Sequence, residues 1–246
     1  MIDITENPYG KYNGNEARYV LQALDSENIE NRNNPWTHRF ESEFCKVMGV
    51  KYAISCNSGT SGLHSALAAA GVGPGDEVII PGLSVIMDVF AAIFVGATPV
   101  FADVVPETMN IDIEDVHRKI TPKTKAIIAI SLQGLPCDIY PLMDMAEKHG
   151  IIVIEDSAQT VMGLYKGRIA GTTGHMGVFS FESKKHLTTG GEGGMIVTND
   201  DNLAQKARKF AGIGYNHLTS TAGRSSFSPS VFQDPNYERF DSIGIN

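Results

Sequence analysis

The chain has 246 residues, 42% of them hydrophobic and 20% charged, and a net charge of −8. That is enough apolar material for one large domain or two small ones. The acidic balance, with no clustered lysine and arginine, excludes a surface built for nucleic acid or for an anionic membrane. Cys45, Cys56 and Cys137 stand far apart with no CxxC pair, so neither a disulfide framework nor a zinc site is indicated, and the histidines show no metal-ligand spacing. The amino terminus, MIDITENPYG, lacks the charged and apolar regions of a secretion signal. The greasiest run, VFAAIFVGA from Val89, is too short to span a bilayer, so a cytoplasmic protein is expected.

Short β-branched runs alternate with longer helical patterns along the chain. YAIS from Tyr52, EVIIP from Glu77, PVFAD from Pro99, KAIIAIS from Lys125 and IIVIED from Ile151 read as buried strands. Helices are expected between them, at SGLHSALAAAG, SVIMDVFAAIFVGA, IEDVHRKI and YPLMDMAEKHG. Such a series predicts a mostly parallel sheet covered by helices on both faces. After Asp156 two further strand candidates lie closer together, GVFSFES from Gly177 and GMIVTND from Gly194, bringing the expected sheet to seven strands. One of the two can run antiparallel, and a helix follows at NLAQKARKFAG. Residues Thr219 to Asp234 are rich in serine, threonine and proline and read as a surface loop.

In open α/β sheets ligands collect at the carboxyl ends of the strands, which directs attention to three places. In CNSGTSGL, Cys56 to Leu63, a strand runs through small residues straight into a helix, where backbone amides near Gly59 and Thr60 could hold a phosphate. The same residues would equally make a tight turn with a serine cap. IIVIEDSAQ ends a strand in Glu155 and Asp156, with Gln159 three residues on. A magnesium-binding reading would need GxxxxGK[ST], which is absent, and leaves a carboxylate that pairs with a protonated ring nitrogen or simply meets solvent. The third place is SFESKKHLTTGGEGGMIVTND, Ser180 to Asp200, where two lysines lie between a strand and a glycine-rich turn. Alone, that is a solvated face and a turn. Together, a phosphate cradle, a strand-end carboxylate and a strand-end lysine on one sheet edge are the parts needed to hold pyridoxal phosphate.

The ordered series SGTSGLHSALAAAGVGPGDEVIIPG, GATPVFADV, IIVIEDSAQ, GVFSFESKKHLTTGGEGGMIVTND and SIGIN resembles the DegT/StrS family of sugar aminotransferases from Phe40 onward. The resemblance implies an aspartate-aminotransferase-like, fold-type I large domain over residues 40–218. An amino-terminal segment, 1–39, precedes it, and 219–246 leads toward a smaller covering domain that the chain is expected to lack. The family pattern of SF, three variable residues and lysine puts the Schiff-base lysine at Lys185 rather than Lys184. By the same matching Asp156 pairs with the cofactor's pyridine nitrogen and Gln159 lies beside its phenolic oxygen. Ser180, Gly59 and Thr60 hold its phosphate, and Asn246 reaches the phosphate of a neighbouring subunit.

Relatives commonly place a flat side chain against the cofactor ring where this chain has Val85, so an aliphatic contact is expected there. SLQG, Ser131 to Gly134, matches no family role. The resemblance implies pyridoxal 5'-phosphate as cofactor, a homodimer, and transfer of an amino group, from glutamate, to the keto group of a nucleotide-linked sugar. A related branch that dehydrates keto-deoxy sugars replaces the lysine by histidine, which makes the KKH string, with His186, the one point of ambiguity. A catalytically silent cofactor-fold module is the reading outside enzymes.

Overall fold

The computed structural model describes residues 12, 14–25, 35–221 and 234–245. Asn246 and most of the Thr219–Asp234 loop lie outside the described residues. Two helices come first, α1 (Glu16–Asp25) and α2 (Pro35–Met48). There follow β1 (Tyr52–Cys56), α3 (Gly59–Ala69), β2 (Glu77–Pro81), α4 (Ile86–Phe94), β3 (Thr98–Ala102), α5 (Ile113–Lys119), β4 (Thr124–Ile130), α6 (Ile139–His149) and β5 (Ile152–Asp156). A small ribbon, β6 (Leu164–Tyr165) with β7 (Arg168–Ile169), precedes β8 (Met176–Ser180), β9 (Gly194–Thr198) and α7 (Asp201–Ala211).

Seven strands form one sheet in the order β1-β9-β8-β5-β4-β2-β3. β2, β3, β4, β5 and β8 pair in parallel, while β9 lies antiparallel between β1 and β8. The long helical crossovers make the parallel pairs possible, and the short connection from β8 to β9 returns the chain antiparallel. The seven expected strands and the five helices expected between and after them are all present, and the antiparallel strand is β9.

Alternation along each strand divides its side chains between two cores. On one face Ile54, Val78, Ile80, Ile128, Ile154, Val178 and Ile196 pack under Leu63 and Leu67 of α3, Ala91 and Ala92 of α4, and Ala204 and Ala207 of α7. On the other face Ile79, Ile127 and Val153 lie under Val116 of α5 and Leu142 and Ala146 of α6. The β1 side of that second face is covered by Phe44 and Met48 of α2, against Phe179, Phe181, Met195 and Val197. Because β5 sits in the middle of this doubly covered sheet, residues at its carboxyl end are drawn into the interior.

α3 lies unusually close to the sheet because its inner positions are small. A Cβ on Gly62 would come within 2.9 Å of Val178 Cγ1. That closeness brings the start of α3 down onto the carboxyl end of β8.

Candidate active site

The first part of the site is the turn from β1 into α3. Ser58 caps the helix: its hydroxyl accepts from Ser61 N–H at 3.1 Å while Ser61 Oγ accepts from Ser58 N–H at 3.1 Å, a reciprocal capping box. The serine-cap reading of SGTSG is therefore correct, and it leaves the anion-binding reading intact. The amides of Gly59 and Thr60 begin the helix and have no carbonyl four residues back within it. Gly59 is buried, and a Cβ there would lie 2.8 Å from Ser180 Cβ. Only glycine lets the helix start and the buried Ser180, from the end of β8, share this space.

The second part is the end of β5. Glu155 and Asp156 are neighbours in sequence, but alternation sends them to opposite faces. Glu155 accepts from the backbone N–H groups of Gly171, Thr173 and Gly174 at 2.9, 2.8 and 2.5 Å, fastening the loop that follows β7. Burial pushes its carboxyl above the usual range and the three donors pull it back. Glu155 is thus a loop anchor. Asp156, on the α3 and α4 face with Ile154, is 4% exposed and accepts from Ala158 N–H at 2.8 Å. Burial raises its pKa; the Ala158 N–H, Asp88 and the Lys185 ammonium act in the opposite direction.

Lys185 and Lys184 part company here. After β8 the chain turns tightly: Lys185 N–H donates to Glu182 O at 2.9 Å and Lys184 N–H to Glu182 Oε2 at 2.9 Å. The turn leaves Lys184 exposed and Lys185 half-buried. Of the two, it is the Lys185 charge that Asp156 feels. His186 is exposed on the same turn.

Gln159 is half-buried just beyond Asp156, and its Oε1 accepts from Gln133 N–H at 3.0 Å. This gives SLQG a role that its sequence does not reveal. Gln133 adopts a left-handed conformation (φ 50°, ψ 31°), Ser131 N–H donates to Asp156 O at 3.0 Å, and Thr160 Oγ1 donates to Ser131 O at 2.6 Å. The turn after β4 thereby braces the Asp156–Gln159 segment. Val85 is the N-cap of α4, with extended backbone and 41% exposure, at the mouth of the same edge.

Two residues outside the sequence expectations belong to this site. Asp88, in the first turn of α4, is completely buried and faces Asp156. Ser84 Oγ lies 2.5 Å from Asp88 Oδ2. Burial, then the negative charge of Asp156, push the Asp88 carboxyl up to about 8. The signal was a lone charge in the apolar run SVIMDVFAAIF, four residues after a serine, but an acidic residue in a first helical turn ordinarily reads as a complement to the helix dipole. The carboxyl edge of the sheet therefore gathers Gly59, Thr60, Ser180, Asp156, Gln159, Lys185 and Val85, together with Ser84 and Asp88.

A glycine-started helix beside a buried serine, and a buried carboxylate within the field of a lysine, thus share one edge of an α/β sheet of fold-type I architecture. The chain belongs to the DegT/DnrJ/EryC1/StrS aminotransferase family, whose pattern matches residues 11–227. The match begins ahead of Phe40, so the likeness extends into the 1–39 segment. GDP-perosamine synthase of Caulobacter vibrioides is 45% identical over 204 residues, 83% of this chain and 54% of that protein. An aminotransferase structure from Psychrobacter cryohalolentis superposes with a TM-score of 0.83 at 37% identity, covering 98% of this chain and 59% of that one. The structure of NtdA from Bacillus subtilis, with bound cofactor PMP, gives a TM-score of 0.76 at 26% identity over 94% of this chain and 49% of that one. The chain spans about half the length of the curated relatives it matches.

Proposed function

We propose that this chain carries the cofactor-binding part of a pyridoxal-phosphate-dependent aminotransferase that moves an amino group from glutamate to the keto group of a nucleotide-linked sugar. The observation that carries the reading is that the Lys185 charge acts on the buried Asp156 at the end of the central strand. The close fit of Gly59 on Ser180 at the adjoining helix start is what a phosphate cradle needs, and the residues present fit the cofactor. The similarity to GDP-perosamine synthases supports the sugar-nucleotide substrate class.

Bound at this edge, pyridoxal phosphate would supply an aldehyde that condenses with amines and a ring that takes up the electron pair left when a proton departs from the amine's α carbon. Asp156 holds a proton at the ring nitrogen, since a carboxylate beside it favours the charged form. Ser180 and the Gly59 and Thr60 amides hold the phosphate, Gln159 lies beside the phenolic oxygen, and Val85 offers an aliphatic contact to the ring. Lys185 would hold the aldehyde carbon and would move the α-carbon proton as general base and acid. The retained lysine at this position favours transamination over the dehydratase branch.

A homodimer accords with the outer side of α4, where Ile86, Met87, Phe90, Ile93 and Phe94 are exposed. Asn246, assigned to a neighbouring subunit's phosphate, lies outside the described residues. A cytoplasmic location accords with three unpaired cysteines. Among the described residues no helix is long and apolar enough to cross a membrane.

Reduction with borohydride after incubation with pyridoxal phosphate, followed by peptide mapping, tests the site. The label is expected on Lys185; Lys185→Ala should abolish both the label and the visible absorbance, and Lys184→Ala should keep both. A label on Lys184 would overturn the assignment.

A further inference from the structure

We propose that Asp88 and Asp156 form a carboxyl pair that shares one proton, resident on Asp88, and that Asp88 is thereby the positioning residue that holds Asp156 as a single, oriented anion. The argument begins with unmet hydrogen-bonding capacity. Asp88 is wholly buried, Ser84 serves its Oδ2, and its Oδ1 has no donor at all. An ionised carboxylate in that position would leave a charged oxygen unsolvated beside a second carboxylate, which is among the costliest arrangements a protein interior can hold. One proton removes both faults: Asp88 becomes a donor to Asp156, and the pair carries one charge instead of two.

The environment decides which of the two keeps the proton. Asp156 accepts from Ala158 N–H and faces the Lys185 ammonium, both of which favour its anion. Asp88 has a hydroxyl and no cation. Among the described residues, the elements packed most closely on α4 leave that balance unchanged. α3 brings His64 to α4, but against Phe94 with ring centroids 5.6 Å apart, near the other end of the helix. β3 has no titratable side chain, and β2 carries only Glu77, at the amino end of the sheet, where it accepts from Thr121 Oγ1. The high pKa of Asp88 agrees with this assignment.

The consequence for the cofactor rests on the reading of Asp156 as the residue beneath the ring nitrogen. A donor at its back fixes the rotamer of Asp156 and leaves its single charge for the ring, so the ring nitrogen meets a carboxylate that is already oriented before the cofactor arrives.

The apo chain gives the test, with thermal unfolding followed from pH 5 to pH 8.5 for the wild type, Asp88→Asn and Asp88→Ala. The native pKa of Asp88 is raised from 3.8 to about 8, so the folded state binds the extra proton and this group's stabilisation is lost as pH rises through that window. Asparagine keeps a donor for Asp156 and an acceptor for Ser84 but has no proton to lose. The gap between Asp88→Asn and the wild type should therefore shift in the variant's favour from pH 5 to pH 8. Parallel profiles would overturn the shared proton.

Titration with pyridoxal phosphate, read by absorbance, tests positioning. Asp88→Asn should bind within about threefold of the wild type, and Asp88→Ala about tenfold or more weakly, the loss of roughly one hydrogen bond to a charged group. Equal binding by Asp88→Ala would overturn the positioning role, and if that variant does not fold, weakened binding by Asp88→Asn would do the same. A wild type that shows the pH effect but binds no pyridoxal phosphate would instead sink the proposed function and leave the shared proton standing.

Discussion

Two buried polar clusters in this molecule meet the same problem and answer it differently. At the β1 edge, Glu41 of α2 and Arg208 of α7 form an ion pair, both almost wholly buried, with Arg208 Nη1 3.0 Å from each Glu41 oxygen. Glu41 Oε1 also accepts from Ser55 N–H and Oγ at 2.8 and 2.9 Å, and Arg208 Nη2 donates to Ala53 O at 3.0 Å. Opposite charges are matched, and the pair ties α2, β1 and α7 together. Under α4, Asp88 and Asp156 bring two carboxyl groups together with, among the described residues, no cation between them, and an Asp88 oxygen is left without a donor. A cluster of the first kind serves the fold. One of the second kind costs stability, and its survival in the interior points to chemistry.

The largest expected effect breaks the structural cluster. Arg208→Met leaves Glu41 as an uncompensated buried anion and should cost about 3–5 kcal/mol in urea unfolding. Adding Glu41→Gln, which keeps an acceptor for Ser55 while removing the charge, should recover part of that loss. A cost below about 1 kcal/mol for the single variant would place the pair among surface-type bridges and erase the contrast.

Asp156→Asn makes the opposite kind of change, since the fold keeps an acceptor for Asp88 while the site loses its anion. This variant should stay folded and still bind pyridoxal phosphate, though no more tightly than Asp88→Ala. Its conversion of the bound cofactor by glutamate, followed by absorbance, should slow about 10²–10³-fold, the scale of losing one preorganised charge at a reacting centre. Conversion at the wild-type rate would remove Asp156 from the ring nitrogen.

The smallest effect sharpens the comparison from the cradle side. Gly59→Ala forces a methyl group against Ser180 Cβ and should cost about 1–3 kcal/mol by overpacking. Because the strain falls on the helix start, affinity for pyridoxal phosphate should drop as well. An alanine variant with unchanged affinity would show that the Gly59–Ser180 contact is packing alone.

Much of this was legible in the sequence because it is local. The seven strands and the helices between them follow from β-branched runs and helical periodicity, both written over a few consecutive residues. The assignment of Lys185 rather than Lys184 rests on counting after Ser180 and Phe181, and the turn that leaves Lys185 half-buried and Lys184 exposed is equally local. Even the glycine of SGTSG announced a close approach, though not what approaches it.

What only the tertiary structure decided is which distant side chains meet. Glu155 and Asp156 look alike at a strand end, and their division into a loop anchor and a site carboxylate depends on which helices cover each face of β5. Asp88 reads as an acidic residue in a helical turn until α4, packed beside α3 over the sheet, brings it against Asp156 from two strands away. Backbone periodicity is set by neighbours along the chain. The apposition of two carboxyls is set by helix packing on a sheet whose strand order departs from chain order, and no short stretch of residues encodes it.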